Sequence, residues 1–171
     1  MPRIQIITVK NVEHLKSVVQ YVARSDKCMN QQYVGLCNML IGEDNESVLW
    51  KMDQFLHNEF NKCHTKRRGI HLIIEFSPEE CQFLNQQVIL QIGYWLTAMY
   101  FANYVTYFAV HDHTELFHLD MLVFPVNMIT GEIINYGKPT WYYMVSQLAE
   151  YLKGFVPIEK IGKPLLCFGR T

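Results

Sequence analysis

The chain has 171 residues, half of them hydrophobic and 13% aromatic, and a formal net charge of −1. That length predicts one domain spanning residues 1–171, and the composition argues against disorder. Near-neutrality excludes a uniformly basic coat, so any affinity for nucleic acid must come from a local patch, a metal ion or a partner. Cys28, Cys37, Cys63, Cys81 and Cys167 form no CxxC pair, which argues against a zinc ribbon or a disulfide framework and predicts a reduced, cytoplasmic setting. The opening MPRIQIITVK reads as a strand rather than a signal peptide. The most apolar long stretch, 81–110, is interrupted by Gln82, Asn85, Gln86, Gln87, Gln91 and Asn103, too polar to span a bilayer.

Taken in chain order, residues 3–9 suit a buried first strand, with Ile4, Ile6, Ile7 and Val9 as its apolar positions. From Val12 the spacing turns helical through Leu15, Val18, Val19 and Val22, ending near Ser25 and Asp26. Residues 35–42 are ambiguous between a loop and a short strand. Residues 45–62 predict a second amphipathic helix with Val48, Leu49, Met52, Phe55, Leu56 and Phe60 inward. A basic loop comes next at 63–69, then a central strand at 70–76. Ser77-Pro78-Glu79-Glu80 is a helix start, with Ser as N-cap, Pro at the first helical position and Glu three residues after the cap; the spacing predicts a helix to about Ala102. β-branched and aromatic residues predict strands at 104–111 and 121–126, Thr130-Gly131 predicts a turn, and 141–152 predicts a last helix. Strands joined by a tight hairpin at 112–117 favour an α+β fold, a central antiparallel sheet with flanking helices.

The hairpin carries the chemistry. His118 and Asp120 stand two apart on a strand, so both side chains share one face, and the short connection folds His111 back beside His118. Two imidazoles and a carboxylate converging from adjacent strands suit a divalent ion, with the mixed nitrogen and oxygen set leaning towards Mn²⁺ or Mg²⁺ over Zn²⁺. The alternative is a set of solvated polar residues in a loop.

This segment resembles the signature of MobP-type relaxases, the mobilization nucleases of the wider HUH endonuclease group. In that pattern a His ends one strand, His-x-His opens the next after a short hairpin, and apolar residues lead to an Asn before a Thr-Gly turn. His111 and His118 match the first two ligands, and residues 124–131 match the apolar run with its Asn and Thr-Gly turn. Asp120 departs from the pattern, standing where the third His is usual. His113, with Asp112 beside it, stands where the family has an acidic residue. A carboxylate can replace an imidazole as a ligand with a changed metal preference. Upstream, 70–80 resembles the family's His-apolar-Ser-Phe-x-Pro-Glu element, with Glu75 in place of the Ser. This makes His71, together with Asp112 and His113, a candidate for supporting the ligands; the alternative for His71 is a hydrogen-bonded buried histidine. The likeness extends over residues 3–135 or so.

The resemblance implies a catalytic tyrosine on the first helix, the position of Tyr21 in Gln20-Tyr21-Val22-Ala23-Arg24. At 100° per residue Tyr21 lies about 110° from the centre of the apolar stripe, on its flank, from which it can reach a neighbouring site. The alternative is a tyrosine at the core edge, and Tyr33 is the reserve. The implied chemistry is attack of the tyrosine on a DNA backbone phosphate, leaving a 5′-phosphotyrosine link and a free 3′-OH that can rejoin. Arg24, Lys27, Lys66, Arg67 and Arg68 are candidate phosphate contacts. Trp141, Tyr142 and Tyr143 are candidates for stacking on single-stranded bases, with core packing expected of at least two. The implied partners are single-stranded or origin DNA and accessory mobilization or replication proteins, on which unwinding would fall, with no membrane. Three rival readings are a DNA-binding accessory protein that does not nick, a rolling-circle replication initiator of the same group, and a metal-dependent hydrolase of another substrate.

Overall fold

The computed structural model describes residues 2–22, 24, 26–27, 32–38, 67–112 and 116–169. The helix expected at 45–62 and residues 63–66 of the basic loop lie outside them. The strands are β1 (Arg3–Val9), β2 (Val34–Cys37), β3 (Gly69–Glu75), β4 (Thr106–His111), β5 (His118–Val123) and β6 (Leu165–Phe168). They form one mixed six-stranded sheet in the order β2-β4-β5-β3-β1-β6. The pairs β2/β4, β4/β5, β5/β3 and β3/β1 are antiparallel, whereas β6 runs parallel to β1 at the edge. The α+β architecture with flanking helices is therefore present. β6 is an addition that the sequence did not announce, because its four residues are half-exposed and without alternation.

Side-chain alternation sorts the sheet into two faces. Ile70, Leu72 and Ile74 of β3, Phe108 and Val110 of β4, and Leu119, Met121 and Val123 of β5 share one core. Over it pack α3 (Gln86–Tyr100), through Ile89, Ile92 and Leu96, and α4 (Lys138–Leu152), through Trp141, Met144, Val145 and Leu148. On the other face Leu15, Val18, Val19 and Val22 of α1 (Val12–Val22) meet Val9, Tyr107, Ala109 and Leu122. Burying each such aliphatic side chain stabilises the fold by roughly 1.5–3 kcal/mol. All six residues of β4 are buried, which is why Tyr107–Val110 reads as a hydrophobic run between Thr106 and His111.

Two local features set how the strands of interest are held. The single helix expected over 77–102 is two: a short α2 (Pro78–Cys81) and then α3. The predicted capping box is there, Ser77 N–H donating to Glu80 Oε2 at 2.8 Å and Glu80 N–H to Ser77 Oγ at 3.4 Å. The chain breaks because Asn85 caps a new helix, its Oδ1 accepting from Val88 N–H at 3.0 Å, and a short polar side chain competes for backbone donors in this way. The Phe108 ring, fully buried, lies between Gly35 of β2 and Gly93 of α3; a Cβ added at these glycines would stand 2.3 Å and 2.5 Å from it. The turn at Thr130-Gly131 is as expected, with Gly131 at φ 69° and Asn127 Oδ1 accepting from the N–H groups of Ile129 and Thr130.

Candidate metal centre

In the β4/β5 hairpin His111 stands directly opposite His118, and Ala109 opposite Asp120. His111, His118 and Asp120 alternate with Val110, Leu119 and Met121 and therefore point away from the α3/α4 core, onto the face covered by α1. His71 on β3 shares that face, since Ile70 and Leu72 point to the other.

Asp120 and His111 are fully buried, and the His118 side chain is only 14% exposed. Asp120 Oδ1 accepts a hydrogen bond from His71 Nε2 at 2.8 Å. Its Oδ2 lies 3.0 Å from His111 Nδ1 and 3.3 Å from His118 Nε2, and those two nitrogens are 3.2 Å apart. Despite these short separations Oδ2 makes no hydrogen bond of regular geometry and is buried. At the far side of the His111 ring, Nε2 is 2.9 Å from the Val22 carbonyl oxygen. A carbonyl only accepts, so Nε2 carries a proton, and Nδ1 is the ring nitrogen that faces Asp120 and His118.

These atoms fit a divalent cation. Three ligands about 2.1 Å from an octahedral ion stand about 3.0 Å apart along one triangular face, and the observed separations are 3.0, 3.2 and 3.3 Å. The buried Oδ2 would gain the partner it lacks, and the opposite face of the coordination sphere would be left for substrate or water. The residues His111, His118 and Asp120 form the metal-capable cluster found among the described residues. Two outer contacts orient it: the Val22 carbonyl sets the His111 tautomer, and His71 holds Asp120. Burial alone would raise the Asp120 carboxyl, but the His111 and His71 rings beside it outweigh that and hold it well below its ordinary 3.8. The carboxylate is thus charged and ready as a ligand.

Tyr21, on the last turn of α1, lies at the edge of this cluster. Its ring is 5.2 Å from that of His111 and 6.3 Å from that of His71, edge-on in both cases. One turn makes both contacts, since the Val22 carbonyl accepts from His111 Nε2 while the Tyr21 ring packs against the same imidazole. Lys27 Nζ sits 4.1 Å from the Tyr21 ring centroid, over its face. The flank position read from the helical wheel therefore brings Tyr21 to the site. Tyr33, by contrast, packs against the core on the far side of the sheet.

The other sequence candidates scatter. Asp112 donates its N–H to the Lys27 carbonyl at 2.9 Å, pinning the Lys27 segment to the end of β4, and its carboxylate accepts from Gln86 Nε2 at 3.3 Å. Arg24 is exposed and ion-paired with Asp26 at 2.6 Å. Arg68 continues β3 towards β1, its N–H donating to the Val9 carbonyl at 2.7 Å. Arg67 reaches the other face, where its Nη1 donates to the Ile134 carbonyl. Lys66 and His113 lie outside the described residues. Of the aromatic trio only Trp141 packs in the core, against the expectation for two: Tyr142 and Tyr143 are 56% and 60% exposed, because α4 turns one side to solvent there. The Val22 carbonyl was beyond sequence reasoning, since any residue type supplies a carbonyl.

The relaxase family described as MobA/VirD2-like, nuclease domain, matches the chain over residues 21–153. That stretch begins at Tyr21 and contains the whole histidine hairpin. No curated protein matches the chain, and no solved structure does.

Proposed function

The chain belongs to the MobA/VirD2-like relaxase nuclease family, and on that premise we propose that it nicks and rejoins one DNA strand at an origin of transfer through a 5′-phosphotyrosine intermediate, in mobilization of a plasmid or other mobile element. The observation that carries the reading is the packing of Tyr21 against His111 and His71 beside a preorganised His-His-Asp cluster.

In this reaction the Tyr21 oxygen forms a bond to a backbone phosphorus while the bond from phosphorus to the 3′-oxygen breaks; the phenol proton leaves and the departing 3′-oxygen is protonated. Phosphodiester number and energy are conserved, so attack by a 3′-OH on the phosphotyrosine rejoins a strand. His111 Nδ1, His118 Nε2 and Asp120 Oδ2 would hold a divalent ion, Mn²⁺ or Mg²⁺ by this ligand set, which would supply Lewis-acid stabilisation of charge on the phosphate. The chain's own groups do the rest. α1 fixes the nucleophile against the cluster, which lowers the entropy lost on reaching the reactive geometry. His71 and the Val22 carbonyl keep Asp120 and His111 in ligating orientation. Lys27, over the Tyr21 ring, places a positive charge beside the incoming phosphate. Arg24, joined to Lys27 by a backbone hydrogen bond, supplies a further phosphate contact, whereas Arg68 lies at the other end of β3, beside Val9.

The substrate in this reading is single-stranded origin DNA in the cytoplasm, with accessory proteins to unwind it. No helix among the described residues is long and apolar enough to cross a membrane. Incubation with labelled single-stranded origin DNA and Mn²⁺ tests the reaction directly. The expected result is a covalent protein–DNA adduct that withstands denaturation and is lost in Tyr21→Phe. No adduct with any divalent metal, combined with retained DNA binding, would replace this reading by that of a non-nicking accessory protein.

A further inference from the structure

On the face of the sheet opposite the metal cluster, between β1, β3, β6 and the start of α4, lies a cleft of about 260 Å³. The faces differ because Ile6 and Ile70, which line the cleft, belong to the α3/α4 core from which His111, His118 and Asp120 point away. Its other walls are Thr8, Arg67, Tyr136, Lys138, Trp141 and Phe168. Two cations thus line it, and no carboxylate does among the described residues, in a chain whose overall charge is −1. The Arg67 guanidinium is anchored by the Ile134 carbonyl, so its charge is held in place. The aromatic walls offer carbon rather than polar atoms: the Trp141 indole N–H already donates to the Tyr136 carbonyl, and the Tyr136 hydroxyl to the Tyr100 carbonyl. Phe168 is 42% exposed at the rim, with Lys138 Nζ 5.7 Å from its ring centroid.

Fixed positive charge beside exposed aromatic surface, in a space of nucleotide size, is the chemistry that holds single-stranded nucleic acid. We propose that this cleft binds one nucleotide unit of single-stranded DNA, the phosphate against Lys138 and Arg67 and the base against Phe168, as a contact separate from the site of cleavage. The inference rests on the DNA-binding part of the reading above but not on nicking. It also gives the near-neutral chain a second place to hold the strand.

Fluorescence anisotropy with a labelled thymidine homopolymer tests it, measured with chelator present and in the Tyr21→Phe background so that cleavage plays no part. Lys138→Glu and Phe168→Ala, both at exposed positions, should each weaken binding about tenfold. Lys138→Gln should make the logarithmic salt dependence shallower by about 0.7. Unchanged affinity in both variants, with unchanged melting temperatures, would overturn the proposal. A loss in the lysine variant alone would overturn the stacking and with it the nucleotide assignment. Failure of adduct formation by the native chain leaves this measurement untouched, so the two readings fail separately.

Discussion

Asp120 answers to two sets of neighbours: Oδ1 accepts from His71, while Oδ2 faces His111 and His118. Removing the His71 imidazole leaves a buried acceptor unpaired and lets the carboxylate turn, so His71→Ala should weaken Mn²⁺ binding about 10–100-fold, measurable by calorimetry on the folded variant. Undiminished affinity would show that Asp120 is held by something other than His71. The charge on Asp120 has its own consequence in metal-free protein. Its folded-state value is depressed below 3.8, so it contributes stability that is fully present above that pH and is lost as pH falls from there toward the folded-state value. The melting temperature of the native chain should therefore exceed that of Asp120→Asn at neutral pH, and the gap should close below about pH 4. A gap that widens on acidification would mean the carboxyl is stabilised in its protonated form instead.

At the level of elements, the β4/β5 hairpin is held from behind by α3, and Phe108 is the joint between them. Gly93→Ala improves helix propensity by about 1 kcal/mol, but the added Cβ would stand 2.5 Å from a fully buried ring that also abuts Gly35. Overpacking of this kind costs roughly 1–3 kcal/mol, so the net effect should be a lower melting temperature by thermal unfolding; a rise would mean that the ring has room to move. The same hairpin explains why part of the site was legible in the sequence. His118 and Asp120 at a spacing of two, and His111 across a short turn, are pleat geometry, and pleat geometry comes from local pattern. Tyr21 was legible from the 100° periodicity of α1 together with family likeness. The features that were not legible depended on distant pairing: β6 is a strand only because β1 offers it an edge, and the break at Asn85 needed knowledge of which cap wins. Arg67 reads as part of one basic run with Lys66 and Arg68, yet its side chain lies on the face of the sheet opposite the metal cluster, a placement that charge spacing does not encode.

Across the whole molecule, the candidate metal centre ties together elements far apart in sequence: α1 through Val22 and Tyr21, β3 through His71, and β4 and β5 through the ligands. An ion seated there would bind the folded chain and not the unfolded one, because the three ligand atoms converge only after β4 and β5 pair and α1 docks. Mass action then converts affinity into stability, about 2.7 kcal/mol when free metal is a hundredfold above its dissociation constant. For a chain of this size each kcal/mol moves the melting temperature by about 2–4 °C, so saturating Mn²⁺ should raise it by roughly 5–11 °C. Chelation should reverse the shift, and His118→Ala, at the most accessible ligand, should abolish most of it. The shift should survive Tyr21→Phe, since that hydroxyl is the proposed nucleophile and stands outside the His-His-Asp cluster. A metal-induced rise equal in His118→Ala and the native chain would place the ion elsewhere, and the convergence of Nδ1, Nε2 and Oδ2 would then need another cause.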